Sequence, residues 1–273
     1  MNILVTLDRN YLQPLRVMLG SLYLNNPGET FDVYLVGDGL TAGDLAGLEA
    51  LCAPCGALHP VEVPGELFAG APVVRYYSRA MYYRLLAAQF LPHSLDRVLY
   101  LDPDILVINP LRPLYDTDLE GKLMAASVHR GLTDISSRVN RLRLDTPEAE
   151  GYFNSGVLVM DLNAMRRRMV PQEIFDYARE HADVLILPDQ DILNGLYGTE
   201  LFPVDESVWN YDARRFDRYQ LASQGEMDMD WVMEHTAVLH FCGKRKPWHK
   251  SYRGRFSALY KHYQRLLERL EAQ

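Results

Sequence analysis

Two aspartates, Asp102 and Asp104, directly follow an apolar run and are the residues of this chain best suited to chemistry. The run Val98–Leu101 is typical of a buried strand, and ligands of an open α/β sheet bind beyond the carboxyl ends of its strands. We expect no Lys or Arg nearby to pair with the two carboxylates, so that a divalent cation such as Mn²⁺ or Mg²⁺ relieves their repulsion. The alternative is an ordinary Asp-Pro turn that closes the strand.

A second polar group, formed by Asn154, Ser155 and Gly156, precedes an apolar run that ends at Asp161. The amide side chain and the exposed glycine backbone could both contact a ligand. Ser155 does not lie in the sequence of a nucleophile elbow, so we do not predict it as a nucleophile. The alternative is a turn that precedes a core strand.

A third group lies at the predicted start of a short helix, Pro188–Asn194. Asp189 could cap this helix, and Asp191 could interact with the helix dipole in the first turn. Gln190 has no such structural explanation. It is therefore a candidate contact to a sugar hydroxyl or to a reacting centre.

The fourth group begins at His240, at the end of a predicted strand, Ala237–Phe241. A neutral imidazole at this position can complete a metal site. Gly243 allows the backbone to approach a ligand closely, and Lys246 offers positive charge to a phosphate. A lone histidine is usually structural, and we interpret the seven other histidines of the chain in that way.

Composition and motifs exclude several other classes of protein. The chain has 273 residues and a formal net charge of −8, which argues against a general nucleic-acid binder. Three cysteines do not form a disulfide framework, and the pair Cys52 and Cys55 closes a helix instead of opening one, as a redox motif would. The sequence contains neither common type of Gly-rich phosphate loop, and no apolar run has the length of about 20 residues that a membrane span needs. The N-terminal residues do not resemble a signal peptide, so we expect a cytoplasmic protein.

Hydrophobic periodicity predicts strands that alternate with helices along the chain. The predicted strands are Asn2–Leu7, Phe31–Gly37, Ala57–Val63, Leu95–Leu101, Leu123–Val128, Phe153–Asp161 and Ala237–Phe241. The predicted helices are Tyr11–Asn25, Thr41–Cys52 with Thr41 as its N-cap, Ser78–Phe90, the short helix from Pro188, and Arg255–Leu270. The polar segment Thr133–Glu150 is interpreted as a lid. This alternation predicts an α/β fold with a mostly parallel, Rossmann-like sheet flanked by helices.

The C-terminal segment has a different charge from the rest of the chain. From Gly243 to Gln273 we count nine Lys or Arg against two Glu, a charge of +7, which leaves −15 for the remainder. We therefore divide the chain into a main domain, residues 1–250, and a basic closing helix, residues 251–273. This tail could contact an anionic membrane surface peripherally, whereas its apolar stripe could pack on the core or on a second subunit of a homodimer.

In order and spacing, the four motifs together resemble those of glycosyltransferase family eight, the retaining group that includes glycogenin and bacterial lipopolysaccharide galactosyl- and glucosyltransferases. The resemblance runs from Ile3 to His249, about nine-tenths of the chain. It implies a single nucleotide-sugar-binding domain of the A type, a UDP-hexose donor and Mn²⁺, with Mg²⁺ as a substitute. The acceptor implied is a hydroxyl of a glycan or glycoconjugate, as in lipopolysaccharide biosynthesis.

The same resemblance assigns roles residue by residue. It makes Asp102, Asp104 and His240 the metal ligands, and it places Asp189 and Gln190 at the reacting centre. The donor-binding positions that it implies are Thr6, Asp8, Asn10, Arg84, Asp102, Asn154, Ser155, Gly156, Gly243 and Lys246. For the retention of configuration we favour attack on the face from which UDP leaves over a covalent intermediate on Asp189.

Two other functions are consistent with parts of the sequence. A haloacid-dehalogenase-like phosphatase also has two aspartates after a strand, but it has them on its first strand, and Leu106 stands where that family has Thr or Val. A non-catalytic protein that binds nucleotide sugars would keep the donor-site residues and transfer nothing.

Overall fold

A computed structural model describes residues 1–72, 80–128, 140, 143, 144, 146, 148 and 151–271. Most of the predicted lid, Thr133–Glu150, and the start of the predicted helix Ser78–Phe90 lie outside these residues. Within them, no helix has the combination of length and apolar character needed to cross a membrane.

Ten strands form two sheets in the described chain. They are β1 (Asn2–Asp8), β2 (Phe31–Asp38), β3 (Gly56–Pro60), β4 (Arg97–Leu101), β5 (Ile105–Val107), β6 (Met124–Val128), β7 (Phe153–Asp161), β8 (Leu201–Asp205), β9 (Tyr211–Asp212) and β10 (Val238–His240).

Twelve α-helices surround the sheets in the same described residues, several of them only one turn long. They are α1 (Leu12–Asn25), α2 (Ala42–Cys52), α3 (Ala80–Tyr83), α4 (Ala87–Phe90), α5 (Arg112–Tyr115), α6 (Leu162–Arg168), α7 (Pro171–Glu180), α8 (Pro188–Tyr197), α9 (Glu206–Trp209), α10 (Phe216–Ala222), α11 (Met229–His235) and α12 (Ser257–Glu271).

The large sheet has the strand order β3-β2-β1-β4-β7-β6-β8. Its pairs are parallel except for those of β7, which runs antiparallel to both β4 and β6. The small sheet has the order β5-β10-β9, with β5 antiparallel to β10. The predicted α/β fold with a mostly parallel, helix-flanked sheet is therefore confirmed.

Local sequence explains most of these elements. The predicted strand Phe153–Asp161 is β7 without any shift, and Thr41 caps α2 in a capping box with Asp44. The prediction of one continuous helix up to Phe90 is wrong, because α3 ends at Tyr83 and α4 begins at Ala87. The last predicted strand is β10, which belongs to the small sheet and not to the central one.

The C-terminal helix α12 packs on the core of its own chain. Tyr260 and Leu267 are buried, and a Cβ atom added to Gly20 of α1 would lie 3.2 Å from Leu267 Cδ1. The predicted apolar stripe consisted of Phe256, Leu259, Tyr263, Leu266 and Leu270. It was only partly correct, because it omitted Tyr260 and Leu267 and included Leu270, which is half exposed. The division of the chain at residue 250 stays a prediction.

Candidate functional site

The two aspartates of the first motif lie where the large sheet meets the small sheet. Asp102 follows β4 of the large sheet, whereas Asp104 immediately precedes β5 of the small one. His240 ends β10, which pairs with β5, so His240 lies opposite Ile105. A carboxylate oxygen of each aspartate and a ring nitrogen of His240 all lie within 4.8 Å of one another. Residues separated by more than 130 positions in sequence thus form one cluster.

Each carboxylate of this cluster has a cation beside it, so the expectation that no Lys or Arg is nearby is wrong. Arg84 Nη2 lies 3.1 Å from Asp102 Oδ1, which also accepts a hydrogen bond of 2.6 Å from the Tyr100 hydroxyl. The Lys246 ammonium pairs with Asp104 Oδ2. Sequence spacing could not show these pairs, because both cations come from distant segments.

The other oxygen of each carboxylate faces His240. The Nε2 atom of His240 lies 3.3 Å from Asp104 Oδ1 and 3.7 Å from Asp102 Oδ2. Two carboxylate oxygens and one imidazole nitrogen form a donor set that suits Mn²⁺ and is compatible with Mg²⁺. The cations hold the opposite oxygens, so they do not block this set. The predicted metal ligands therefore fit a divalent cation.

The electrostatic environments of the two aspartates differ. Burial raises the pKa of Asp102, although the Arg84 guanidinium acts in the opposite direction. Burial also acts to raise the pKa of Asp104, but His240 and Lys246 outweigh this effect and lower it below its usual range. Asp104 is thus firmly held in the charged form that a cation requires.

A chain of hydrogen bonds fixes the tautomer of His240. The backbone N–H of Gly156 donates to Asn154 Oδ1 (2.8 Å), and Asn210 Nδ2 donates to the same oxygen (2.7 Å) and to Ser127 Oγ (3.0 Å). Because Nδ2 of Asn210 makes both of these bonds, Oδ1 of Asn210 faces the imidazole and lies 2.8 Å from His240 Nδ1. Because an amide oxygen can only accept, Nδ1 carries a proton, and Nε2 is the ring nitrogen that faces the two carboxylates. Nε2 can bind a cation once it has released its own proton.

Gly156 is required for this close packing. A Cβ atom at this position would lie 2.4 Å from His240 Cε1 and 2.7 Å from Asp102 Oδ2. Asn154, Ser155 and Gly156 belong to β7 itself and do not form a preceding turn. Because β7 is antiparallel to β4, its first residues lie beside the carboxyl end of β4, which explains why these polar residues come before the apolar run.

Arg84 connects the metal cluster to the second half of the site. Its Nη1 atom lies 3.1 Å from Asp189 Oδ2 and donates to the Ser155 carbonyl at 3.0 Å. The Ser155 hydroxyl donates to the same oxygen of Asp189 at 3.1 Å. Gln190 is buried, and its Oε1 atom accepts a hydrogen bond from the Ser155 amide at 3.4 Å. Asp189 is thus held in the site and does not act as a side-chain cap of α8.

Asp191 has a purely structural environment. It is fully buried and accepts hydrogen bonds from Arg143, from the Tyr152 hydroxyl and from the amides of Ile186 and Leu187. The prediction of a dipole partner was incomplete, since this carboxylate ties the segment before α8 to residues preceding β7.

The predicted donor-binding residues line three adjoining cavities. The first, of about 440 Å³, contains Arg84, Asn154, Ser155, Gly156, Asp189, Gln190 and Gly243. The second, of about 290 Å³, contains Thr6 and Asp8 and shares Arg84, Asp102, Asp104 and Asp189 with the first. The third, of about 510 Å³, contains Asn10, Gly243 and Lys246. We call the first cavity the sugar cavity and the second the nucleotide cavity, after the contacts predicted for them.

Sequence reasoning missed several residues of this site, and three of them hold other side chains in place. Asn210 orients His240, Tyr100 donates to Asp102, and Asp212 lines the sugar cavity while it holds Arg214 in a bidentate pair. Asn210 and Asp212 flank Tyr211 in a stretch without a recognised motif. Tyr100 looked like an ordinary member of an apolar strand. No local signal identified any of the three.

Comparison with known proteins agrees with this geometry. The model of glycosyl transferase family 8 matches residues 2–251. The chain belongs to this family. It is 26% identical to general stress protein A of Bacillus subtilis over 96% of the chain and 92% of that protein, and 29% identical to lipopolysaccharide 1,2-glucosyltransferase of Escherichia coli K12 over 92% and 73%.

A solved structure of similar shape is that of the galactosyltransferase LgtC in complex with donor and acceptor sugar analogues. The two chains have a TM-score of 0.80 and 27% identity, with 97% of this chain and 96% of LgtC covered. Family membership confirms the resemblance found in the sequence and the A-type fold, and it removes the phosphatase alternative.

Proposed function

We propose that this chain is a Mn²⁺-dependent retaining glycosyltransferase that moves glucose or galactose from a UDP-sugar to a hydroxyl of a cell-envelope glycan or glycoconjugate. The observation that carries the proposal is the junction of the metal cluster with the sugar cavity. Arg84 contacts both Asp102 of the cluster and Asp189 of the cavity, so the cation site and the expected sugar site share one guanidinium. The relatives support the hexose and the acceptor class, since they include lipopolysaccharide glucosyltransferases and a lipopolysaccharide 1,3-galactosyltransferase.

Asp102, Asp104 and His240 would hold the cation, which supplies Lewis-acid stabilisation to the departing diphosphate. The remaining work falls to side chains that are already in place. Arg84 adds fixed positive charge beside the position where charge develops. Thr6 and Asp8 line the nucleotide cavity, which suits contacts to uracil and ribose. Lys246, in its pair with Asp104, keeps the cluster from carrying two uncompensated carboxylates.

The surroundings of Asp189 favour attack on the same face from which UDP leaves. Its Oδ2 atom already interacts with Arg84 and with the Ser155 hydroxyl. These contacts stabilise the carboxylate and therefore weaken it as a nucleophile. Gln190 is a weaker nucleophile still, because an amide oxygen is far less basic than a carboxylate. We therefore assign both residues to orienting the donor sugar, while the leaving phosphate oxygen accepts the proton of the acceptor hydroxyl.

The basic tail supports a location at the cytoplasmic face of a membrane. Lys261, Arg265 and Arg269 are exposed and follow one another every four residues of α12, so they form one positive stripe. Tyr260 and Leu267 of α12 are packed in the core, so this contact would be mainly electrostatic and peripheral. Co-sedimentation with anionic vesicles at low salt tests this contact. If the protein does not bind the vesicles, the membrane contact is refuted, and the tail serves only as a structural C-terminal helix. A homodimer stays a prediction of the sequence.

A UDP-release assay tests the proposed function. The wild-type protein is incubated with UDP-glucose or UDP-galactose, each with Mn²⁺, with Mg²⁺ and with chelator. We expect slow hydrolysis of one donor with Mn²⁺, a lower rate with Mg²⁺ and none with chelator. UDP should also raise the unfolding temperature only when the metal is present, because ligand binding to the native state stabilises it by mass action.

The variant Asp104→Asn should remove the metal-dependent stabilisation by UDP. Asn keeps a side-chain acceptor for the buried Lys246, whereas an Ala substitution would leave it with the Phe241 carbonyl and without the partner at position 104. The matched control is Asp183→Asn, which makes the same substitution at an exposed aspartate. Equal stabilisation by UDP in excess chelator would refute the metal assignment. Metal-dependent UDP binding with no release from any UDP-hexose would instead indicate a non-catalytic nucleotide-sugar-binding protein.

A further inference from the structure

A basic groove adjoins the sugar cavity. We define it by five cationic side chains, those of Arg214, Lys244, Arg245, Arg253 and Arg255. It encloses about 780 Å³ and shares Arg214, Cys242 and Gly243 with the sugar cavity. It shares no lining residue with the nucleotide cavity, but it shares Gly243 and Lys244 with the third cavity, which contains Asn10 and Lys246. A ligand in this groove would therefore lie beside the sugar cavity and close to Lys246, the predicted phosphate contact.

The positive charge of the groove is only partly compensated. Asp217 is the carboxylate that lines it together with the five cations, and it pairs with Arg255 at 2.9 Å. Arg214 is held by Asp212, which lies beneath it. In the part of the chain that the structure describes, Lys244, Arg245 and Arg253 have no carboxylate partner. This excess is unexpected for a surface of a protein whose net charge is −8.

Several of these side chains are held in fixed positions and are not loose surface groups. Arg214 makes a bidentate contact with Asp212, with distances of 2.9 and 2.7 Å. Arg253 Nη1 donates to the carbonyls of Lys250 and Tyr252 at 2.9 and 3.0 Å. The Arg255 guanidinium lies 4.2 Å above the centre of the Phe216 ring. Such ordering reduces the entropy lost when a ligand binds.

The backbone at Gly243 opens the passage between the groove and the sugar cavity. Gly243 has a φ angle of +85°, which favours glycine, and a Cβ atom there would lie 2.5 Å from Arg214 Nη1. Any other residue would therefore push Arg214 away from the boundary of the two cavities. The missing side chain lets a guanidinium nitrogen reach the boundary.

From this arrangement we propose that the basic groove is the acceptor subsite and that the acceptor is a phosphorylated glycan. The phosphate binds among Arg214, Arg253 and Arg255, and a neighbouring sugar unit of the acceptor presents its hydroxyl to the sugar cavity. Arg is suited to this task because its planar guanidinium donates two parallel hydrogen bonds to a phosphate. The inference rests on the proposed function, since an acceptor presupposes a transferase.

Ligand binding to the UDP- and Mg²⁺-saturated protein tests the proposal, because UDP then already fills the donor site. Glucose 6-phosphate and glucose are titrated as probes and followed by ligand-observed NMR. We expect glucose 6-phosphate to bind at least tenfold more tightly than glucose, with an affinity that falls as salt is raised. The double variant Arg253→Gln/Arg255→Gln should weaken glucose 6-phosphate at least tenfold and leave the weak binding of glucose unchanged. The double variant Arg253→Lys/Arg255→Lys should recover part of the loss, since it keeps the charge.

The matched control is Lys261→Gln/Arg265→Gln, which removes the same net charge from the exposed face of α12, outside the groove. This control should bind glucose 6-phosphate as the wild type does. Equal losses in the two Gln variants would overturn the proposal, because the effect would then come from net charge alone. A loss of UDP affinity in the groove variant would also overturn it, since the arginines would then belong to the donor site. Failure of the wild type to bind UDP would instead reject the proposed function itself.

Discussion

Buried carboxylates occur in two neighbouring regions of this molecule with opposite arrangements of their partners. Asp191 is surrounded by donors on both oxygens, from Arg143, Tyr152 and two backbone amides. In the metal cluster, Asp102 and Asp104 each have one oxygen held by a cation and one that faces His240. The first arrangement has no further capacity for a ligand. The second retains the capacity to bind a cation. The comparison therefore indicates a structural role for Asp191 and a ligand-binding role for Asp102 and Asp104.

If this comparison is right, the largest effect on stability should come from Asp191. The change Asp191→Asn removes the charge that pairs with Arg143 and leaves buried donors unsatisfied. We expect it to lower the free energy of unfolding by about 3–5 kcal/mol, the usual cost of breaking a buried ion pair. Urea denaturation measures the change. The matched control, Asp189→Asn in the same helical turn, should cost less, because Asp189 is 20% exposed and Arg84 keeps Asp102 as a partner; equal losses at both positions would contradict the distinction.

The next largest effect concerns turnover. Asp189→Asn and Gln190→Ala should each lower kcat about 100-fold, the scale of a misplaced substrate, while the affinity for UDP changes little. The reason is that both side chains line the sugar cavity; Gln190 does not line the nucleotide cavity, and Asp189 lies where the two cavities meet. Steady-state kinetics and UDP titration give the two quantities. Gln172→Ala, at an exposed position, serves as the control, and wild-type turnover in both site variants would refute their placement at the donor sugar.

The smallest effect should come from Asn210, which acts on the cluster through His240. Asn210→Ala removes the acceptor that fixes the Nδ1–H tautomer, and loss of such a supporting contact typically weakens metal affinity 10- to 100-fold. Calorimetric titration of Mn²⁺ into the protein without donor measures this directly. Asn163→Ala, a surface amide outside the three cavities, should bind Mn²⁺ as the wild type does. Unchanged affinity in Asn210→Ala would show that the sheet alone orients His240.

The sequence predicted the parts of this fold that depend on local pattern. The strand β7 and the capping box of Thr41 follow from residues that are neighbours in the chain, so periodicity and spacing suffice. The residues of the metal cluster were also predicted together, because Asp102 and Asp104 follow an apolar strand and His240 ends another. Their role as metal ligands stays a prediction.

Features that depend on tertiary packing could not be predicted in this way. The partners Arg84 and Lys246 reach the aspartates from segments 18 and 142 positions away. The antiparallel direction of β7 has no local signature, although it decides which residues meet at the site. Asn210 lies in a short connection whose importance appears only when the small sheet is formed.

Pro103 has a consequence for how the two sheets are joined. It is the single residue between Asp102, at the end of the large sheet, and Asp104, at the start of the small one. The two carboxylates of the cluster therefore come from different sheets, and His240 comes from the second. A cation bound to all three residues would add a link between two sheets that already share a hydrophobic core. Metal binding should therefore stabilise the junction of the sheets as well as compensate the charge of the cluster.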